Sequence, residues 1–184
     1  MKRWMAIAAL GLAACGTPAK QGFYTLSAAA GPEPAAGPGP SIFVGPVSVP
    51  ESVDRTPMVL RTGPNQVEID DRHRWAEPLE AAIPRVLAEN LGRELGSPRV
   101  LSGRRAGATD VDQRVAVAVQ RFESSLSEGA SLDAAWTVTP ARGEARTGRF
   151  RGREPAASAD PAGIAAAHSR LLARLARDLA AALR

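Results

Sequence analysis

The chain has 184 residues, a formal charge of +4 and 45% hydrophobic residues. That length suits a single domain, and the even mixture of charges, with no block of Lys and Arg, argues against nucleic-acid binding. With only two histidines and one cysteine, the sequence also excludes a zinc site built from several Cys and His ligands, and a disulfide-bonded scaffold.

The N-terminus has the features of a bacterial lipoprotein signal. A positive start is followed by an apolar run over residues 4–12, which is far shorter than the ~20 residues of a membrane-spanning helix. A Leu-Ala-Ala-Cys lipobox then ends at Cys15. We expect a signal peptide over residues 1–14 and a lipidated tether over residues 15–22, with a covalent lipid on the Cys15 thiol and no other cofactor. The alternative is a secreted protein in which that thiol is free.

The residue after the cysteine bears on localisation. It is Gly16, whereas an aspartate there is the usual signal for retention in the inner membrane. We therefore expect a protein anchored by its acyl chains in the outer membrane of a Gram-negative bacterium, on the periplasmic face.

Strand signals dominate the next part of the chain. Residues 23–26 are aromatic and β-branched, and residues 27–40 are rich in Ala, Pro and Gly, which is typical of a flexible linker or loop. We expect residues 23–26 to pair with the sheet while the linker loops out. Residues 41–49 are apolar on both faces, which favours a central strand. Residues 56–61 and 66–70 flank a Gly-Pro-Asn turn and predict a hairpin.

Two helices and three further strands complete the pattern. Apolar residues at helical spacing predict a helix over residues 77–95, with a kink or restart at Pro84. Alternation predicts strands over the ranges 114–122, 131–139 and 144–153, with a bulge near Arg121. An Asp-Pro pair at residues 160 and 161 predicts the cap of a C-terminal helix.

These elements predict an α+β fold. We expect one domain over residues 23–184, with a mixed sheet of about five to six strands and two amphipathic helices packed on it.

Catalytic chemistry is not indicated. His73 and His168 fall in different elements, and neither lies beside a Ser or Cys nucleophile pattern. Asp110 and Asp112 lack the glycine and the later glutamate of a calcium loop. We therefore predict a binding module and not an enzyme; the rival interpretation is a lipidated periplasmic hydrolase.

Six stretches together resemble the PqiC (YmbA-type) auxiliary lipoproteins of ABC-type transport systems. The resemblance covers about residues 15–183, and its most specific part is the Trp-Ala-Glu-Pro-Leu segment before the first helix. The long linker and Pro84 depart from the family pattern. The stretches are Phe23-Tyr24-Thr25-Leu26, Val44-Gly45-Pro46-Val47-Ser48-Val49-Pro50, Val53-Asp54-Arg55-Thr56-Pro57-Met58-Val59, Arg74-Trp75-Ala76-Glu77-Pro78-Leu79, Arg121-Phe122-Glu123 and Leu132-Asp133-Ala134-Ala135-Trp136.

The resemblance implies a role in an envelope transport system. Such lipoproteins face the periplasm and work with an MCE-domain protein anchored in the inner membrane, in complexes that move lipids or other hydrophobic molecules between membranes. The chain would then be a non-catalytic docking subunit, and a homo-oligomer is compatible with this role. The alternative is a carrier that holds the lipid in its own interior.

Six residues are the predicted partner contacts, each with a structural alternative. Asp54 and Arg55 could instead cap a neighbouring backbone, and Trp75 could cover the first turn of the helix. The arginines of the strand, together with Arg153, could form a solvated face. The six are Asp54, Arg55, Trp75, Arg146, Arg149 and Arg151.

Overall fold

The computed structural model describes residues 20–29, 39–103 and 110–184. The predicted signal peptide, Cys15 and most of the tether lie outside the described residues, as does the middle of the predicted linker. Within the described ranges, no helix has the length and apolar character needed to cross a membrane.

Eight strands form one mixed sheet within the described residues, so the predicted count of five to six was too low. Seven of them lie in ranges where strand patterns were found. β5 showed no such pattern, because its three residues carry no alternation of their own, and it pairs in parallel with β2. The strands are β1 (Gly22–Tyr24), β2 (Ile42–Ser48), β3 (Pro57–Gly63), β4 (Gln66–Trp75), β5 (Val100–Ser102), β6 (Gln113–Ser125), β7 (Gly129–Pro140) and β8 (Arg146–Glu154).

The sheet is organised around β6. One edge of β6 pairs along its whole length with antiparallel β7, which in turn pairs with β8. The other edge is shared by two parallel strands: β2 runs along its first half, and β3 joins it at Ser124. From these, β5 extends the sheet beyond β2, while β4 and then β1 extend it beyond β3. The central position of β2 and the β3–β4 hairpin are therefore as predicted, and the β6–β7 register shifts between Val119 and Arg121, where a bulge was expected. The strand expected over residues 23–26 does pair with the sheet, but it ends at Tyr24.

Two helices pack on this sheet: α1 (Leu79–Leu95) and α2 (Pro161–Leu183). α1 is unbroken at Pro84, so the restart expected there does not occur. It ends at Gly96, whose φ of 61° is in the left-handed region that glycine adopts without strain. The Asp160 carboxylate caps α2 by accepting a hydrogen bond of 2.7 Å from the Gly163 N–H, with Pro161 in the first turn as predicted.

The core lies between the helices and one face of the sheet. The two helices contact each other, α1 packs on β2 and β5, and α2 packs on β7 and β8. The buried side chains of the strands alternate with ones that point away from the helices, because successive strand residues face opposite sides. No described helix covers that second face, which we call the open face. The largest fully buried core residues include Ile42, Leu79, Ile83, Leu87, Leu91, Leu132, Leu171, Leu172 and Leu175.

Candidate partner-docking site

The loop between β2 and β3 carries the first two predicted contacts. It is a tight turn in which the Val53 and Asp54 N–H groups both bond the Pro50 carbonyl at 3.0 Å. The Asp54 carboxylate accepts a hydrogen bond of 3.3 Å from the Glu80 N–H. It thereby binds one of the free N–H groups in the first turn of α1. Asp54 therefore has the capping role that was its structural alternative.

Arg55 and Trp75 occupy opposite environments. Arg55 is exposed, and no described side chain pairs with it. Trp75 is only 4% exposed and packs edge-on against Phe122 and His168. A partner cannot reach its ring in this structure, so Trp75 is a core residue that fixes the entry to α1, and the contact predicted for it is not retained.

The arginines of β8 are divided between the two faces of the sheet. Arg146 is in register with Val138, which is buried under the helices, so Arg146 belongs to the helix side. Arg149 and Arg151 are offset from it by odd numbers of residues and belong to the open face. Strand alternation thus separates Arg146 from the other two, and the sequence-based grouping of all three was wrong on this point.

Asp133 on β7 holds these open-face arginines together. The Arg149 Nε and Nη2 groups donate hydrogen bonds of 2.8 Å to its two carboxylate oxygens, and the Arg151 Nε donates one of 3.1 Å. These bonds, first of all the one from Arg149, hold the pKa of Asp133 below its ordinary value. In return Asp133 raises the pKa of Arg149. One carboxylate therefore orders two guanidinium groups, and charge remains in excess on the positive side.

The open face carries three adjoining depressions of about 300, 30 and 450 Å³. The first is largely apolar and the last is basic. Arg61 lies between them, with an ion pair to Glu123. We call this continuous surface the open-face site. Its apolar end consists of Pro50, Val53, Val59 and Val67, and its basic end of Arg121, Asp133, Arg149, Arg151 and Arg153.

Arg153 differs from its neighbours in the basic end. It lines both the 30 and the 450 Å³ depressions, and within the part of the chain that the structure describes its guanidinium has no acidic partner. Its charge is therefore the one most available to an incoming anionic group.

The surroundings of the two histidines differ from those of a catalytic base. His168 Nε2 and Ser124 Oγ share a hydrogen bond of 2.9 Å, a contact that their separation in sequence conceals. Such a pair resembles a nucleophile and its base. However, His168 is 0% exposed and Ser124 4% exposed, and His168 Nδ1 has no orienting partner among the described residues. The arrangement lacks both the access and the third group that nucleophilic catalysis requires.

His73 is more accessible than His168, but its described neighbours include no nucleophile. Its Nδ1 atom lies 2.6 Å from the Asp70 carboxylate, and its ring lies 5.8 Å from that of Tyr24. Across the described ranges, no group of three or more His, Cys, Asp or Glu side chains could hold a metal ion. The geometry of the described residues thus offers surfaces for binding and no assembled reaction centre.

Comparison with known proteins assigns the family. The family model described as an ABC-type transport auxiliary lipoprotein component matches residues 24–180. The chain belongs to this family. The resemblance inferred from the sequence motifs is thereby confirmed, and the family description supports an auxiliary role in transport. No curated protein matches the chain.

Solved structures share the fold. An uncharacterised protein is 17% identical, with a TM-score of 0.73 over 90% of this chain and 99% of the other. A protein from Xanthomonas campestris is 19% identical, with a TM-score of 0.66 over 85% of this chain and 91% of the other. The PelC dodecamer from Paraburkholderia phytofirmans is 15% identical over 82% of this chain and 95% of the other, but its TM-score of 0.46 supports no conclusion about assembly.

Sequence reasoning found part of the open-face site. Arg149 and Arg151 were singled out, but Asp133 and the two apolar residues Val59 and Val67 were not. A signal existed for Asp133, since it is the single charged residue of β7 and lies at an open-face position. Val59 and Val67 gave none, because an exposed valine in a hairpin cannot be told from a buried one without knowing which face the helices cover.

Proposed function

We propose that this protein is lipidated at Cys15, anchored in the outer membrane, and serves as a non-catalytic docking subunit of an MCE-type ABC transport system that moves lipids or other hydrophobic molecules between the two membranes. Membership of the transport auxiliary lipoprotein family supports the system, and the lipobox supports the anchor. The observation that carries the docking role is the open-face site.

The open-face site has the composition of a protein interface. Interfaces gain most of their binding energy from a few anchors in a desolvated centre, and Arg is among the residues that dominate there. Here an apolar groove of about 300 Å³ adjoins a cleft whose lining includes four arginines and one aspartate. That pattern fits a partner segment with an apolar side chain beside one or more carboxylates.

The carrier alternative is less well supported by the same structure. A carrier needs a largely enclosed apolar cavity of several hundred cubic ångströms. The depressions of about 480, 450 and 300 Å³ among the described residues are open grooves lined in part by exposed side chains. The space between helices and sheet is filled by the closely packed core.

Reversal of one charge tests the docking role. In Arg153→Glu an unpaired positive group of the basic end becomes negative, so no native ion pair is broken. The matched control is Arg177→Glu, an exposed arginine on α2. Native mass spectrometry of the purified full chain with the purified MCE-domain protein should show binding weakened at least about tenfold, or ~1.4 kcal/mol, by the first change and unaltered by the second.

Two results would count against docking. Equal binding by both variants would remove the open-face site from the interface. A monomer that ignores the MCE-domain protein and carries a stoichiometric lipid would instead establish the carrier. The same spectra give the number of subunits in the free protein.

Metabolic labelling tests the anchor separately. Cells grown with a fatty-acid analogue should label the wild-type chain and not Cys15→Ser. Fractionation of the two membranes then reports whether the labelled protein is in the outer one. Equal label in both proteins would show that Cys15 is not the lipidated residue.

A further inference from the structure

A second surface lies beside the start of the described chain, against α2. It is a groove of about 480 Å³ between residues 23–29 and the first half of α2. Small side chains of α2, Ala162 and Ala166 among them, form one wall, and Phe23 forms part of the other. The Phe23 ring is 62% exposed, the highest value of any large apolar side chain described. We call this surface the Phe23 groove.

The groove is held open by contacts on both helices. Leu26 is 1% exposed in the core, and its carbonyl accepts a hydrogen bond from Arg85 Nη2. The Ser27 N–H bonds the Ser169 hydroxyl at 3.1 Å. The Ala29 N–H bonds the side chain of buried Asn90 at 2.9 Å. Exposure of Phe23 is therefore a consequence of fixed backbone, since the segment that follows it is pinned.

The lining of the groove carries little net charge. None of its lining residues is acidic, and Arg170 is its one cation, paired with Glu154. Lys20 lies just before β1 and is exposed. An exposed aromatic ring beside small apolar side chains, with a lysine just before it in the chain and no carboxylate in the lining, is a composition that favours a membrane interface.

Chain length limits how far this surface can be from a bilayer. Phe23 lies eight residues after Cys15 in the chain, and these eight steps span at most about 28 Å when fully extended. A compact domain of this size is about 40 Å across. A lipid on Cys15 therefore keeps the Phe23 side of the domain close to the membrane and leaves the far side beyond its reach.

We propose that the Phe23 groove is a membrane-contact surface, in which the Phe23 ring and the alanine wall of α2 lie among the headgroups and upper acyl chains of the bilayer that holds the lipid anchor. This inference rests on the proposed lipidation of Cys15. It adds an orientation: the domain lies on the membrane by one defined surface and does not rotate freely at the end of its tether.

The chain offers a matched pair of reporter positions. Cys15 is the single cysteine, and lipid blocks its thiol, so a new cysteine is the only site that a fluorescent label can modify. Phe23→Cys reports on the groove. Leu101→Cys is the control, because Leu101 is 56% exposed on β5.

Leu101 also lies well away from the groove. On β2, Ile42 is paired with β5 on one side and with Gln113 of β6 on the other. The Gln113 side-chain amide donates a hydrogen bond to the Leu183 carbonyl at the end of α2. Leu183 and the groove residue Ala166 are 17 residues apart on that helix, which corresponds to about 25 Å along its axis.

The test uses the full lipidated chain in vesicles of phosphatidylethanolamine with a minority of phosphatidylglycerol. An environment-sensitive label at position 23 should shift to shorter emission wavelength, and lipids that carry a quencher on the acyl chain should quench it on the order of twofold more than the label at position 101. A third variant, Thr25→Cys, places the label beside an intact Phe23; its quenching should fall when Phe23→Ser is added.

The outcomes separate the anchor from the orientation. If the wild-type chain does not float with the vesicles, the lipid anchor is wrong and the inference fails with it. If the chain floats but positions 23 and 101 are quenched equally, the anchor stands and the membrane-contact surface is overturned. A blue shift at position 23 that lipid quenchers do not affect, and that persists in detergent, would show a contact with another copy of the chain and would also overturn it.

Discussion

The buried histidine makes the stability of this fold depend on pH. His168 is stacked on Phe122 with ring centroids 3.7 Å apart and planes at 7°, and Trp75 closes its edge. Burial disfavours the charged imidazolium and lowers the pKa of His168 from 6.5 to about 3. The native state therefore keeps this ring neutral at pH values where the unfolded chain would protonate it.

The sign and size of the effect follow from that difference. Above pH 6.5 neither state binds the proton, and the stability is complete. As the pH falls below 6.5, the unfolded chain gains a proton that the native state refuses, so the free energy of unfolding decreases by about 1.4 kcal/mol per pH unit until the folded pKa of about 3 is approached. At pH 4.5 the loss is about 3 kcal/mol, a large part of the ~5–15 kcal/mol that stabilises a typical domain.

Urea unfolding followed by tryptophan fluorescence measures this loss. We compare the Cys15→Ser chain with the same chain carrying His168→Phe and Ser124→Ala, which removes the ring and its hydrogen-bond partner together. Carboxylates titrate in both proteins and cancel in the difference. The gap between their free energies of unfolding should change by about 3 kcal/mol between pH 7.5 and 4.5. His73→Gln controls for the loss of a half-exposed histidine and should leave the wild-type fall intact.

A gap that stays constant across this range would refute the reasoning. It would mean that His168 takes up its proton in the native state as easily as in the unfolded chain, through water or through a rearrangement that exposes the ring. The stacked geometry would then not describe the protein at low pH.

Two further predictions concern stability near the candidate site. Asp54→Ala should lower the free energy of unfolding by ~1 kcal/mol because a cap of α1 is lost, whereas Arg55→Ala should change it by less than about 0.5 kcal/mol; equal effects would show that the cap does not form. Gly148→Ala should lower the free energy of unfolding by ~1–3 kcal/mol, since a Cβ there would lie 2.2 Å from the Trp136 ring. Gly63→Ala, whose Cβ meets nothing closer than 3.5 Å, serves as the control in thermal unfolding. A neutral Gly148→Ala would mean that the Trp136 ring moves aside freely.

Much of the architecture was predictable because it depends on local patterns. Helical spacing of leucines located both helices, the Asp-Pro pair located the start of α2, and Gly96 located the end of α1. The change of alternation at Phe122 located the bulge. Each of these signals lies within one turn or one strand, where the preferred backbone conformation is set by neighbouring residues.

What could not be predicted depends on long-range pairing. The sharing of one edge of β6 by β2 and β3 follows from β6 being long enough for both, and no local pattern encodes it. The Asp54 cap spans 26 residues and the contact between His168 and Ser124 spans 44. Strand alternation separates Arg146 from Arg149 and Arg151, but which of the two faces lies under the helices follows only from the pairing of β8 with β7.

The two proposed surfaces are compatible because they are built from different elements. Residues 23–29 and the first half of α2 line the Phe23 groove, while Arg149, Arg151 and Arg153 project from the open face of β8. If the groove rests on the bilayer, the open face is left free for a protein that approaches from the periplasm. The opposite assignment, with the basic cleft on lipid headgroups, would leave an exposed aromatic ring in water and would place the basic end of the open-face site out of reach of a protein partner. The short length of chain between Cys15 and Phe23 favours the groove as the surface that meets the bilayer.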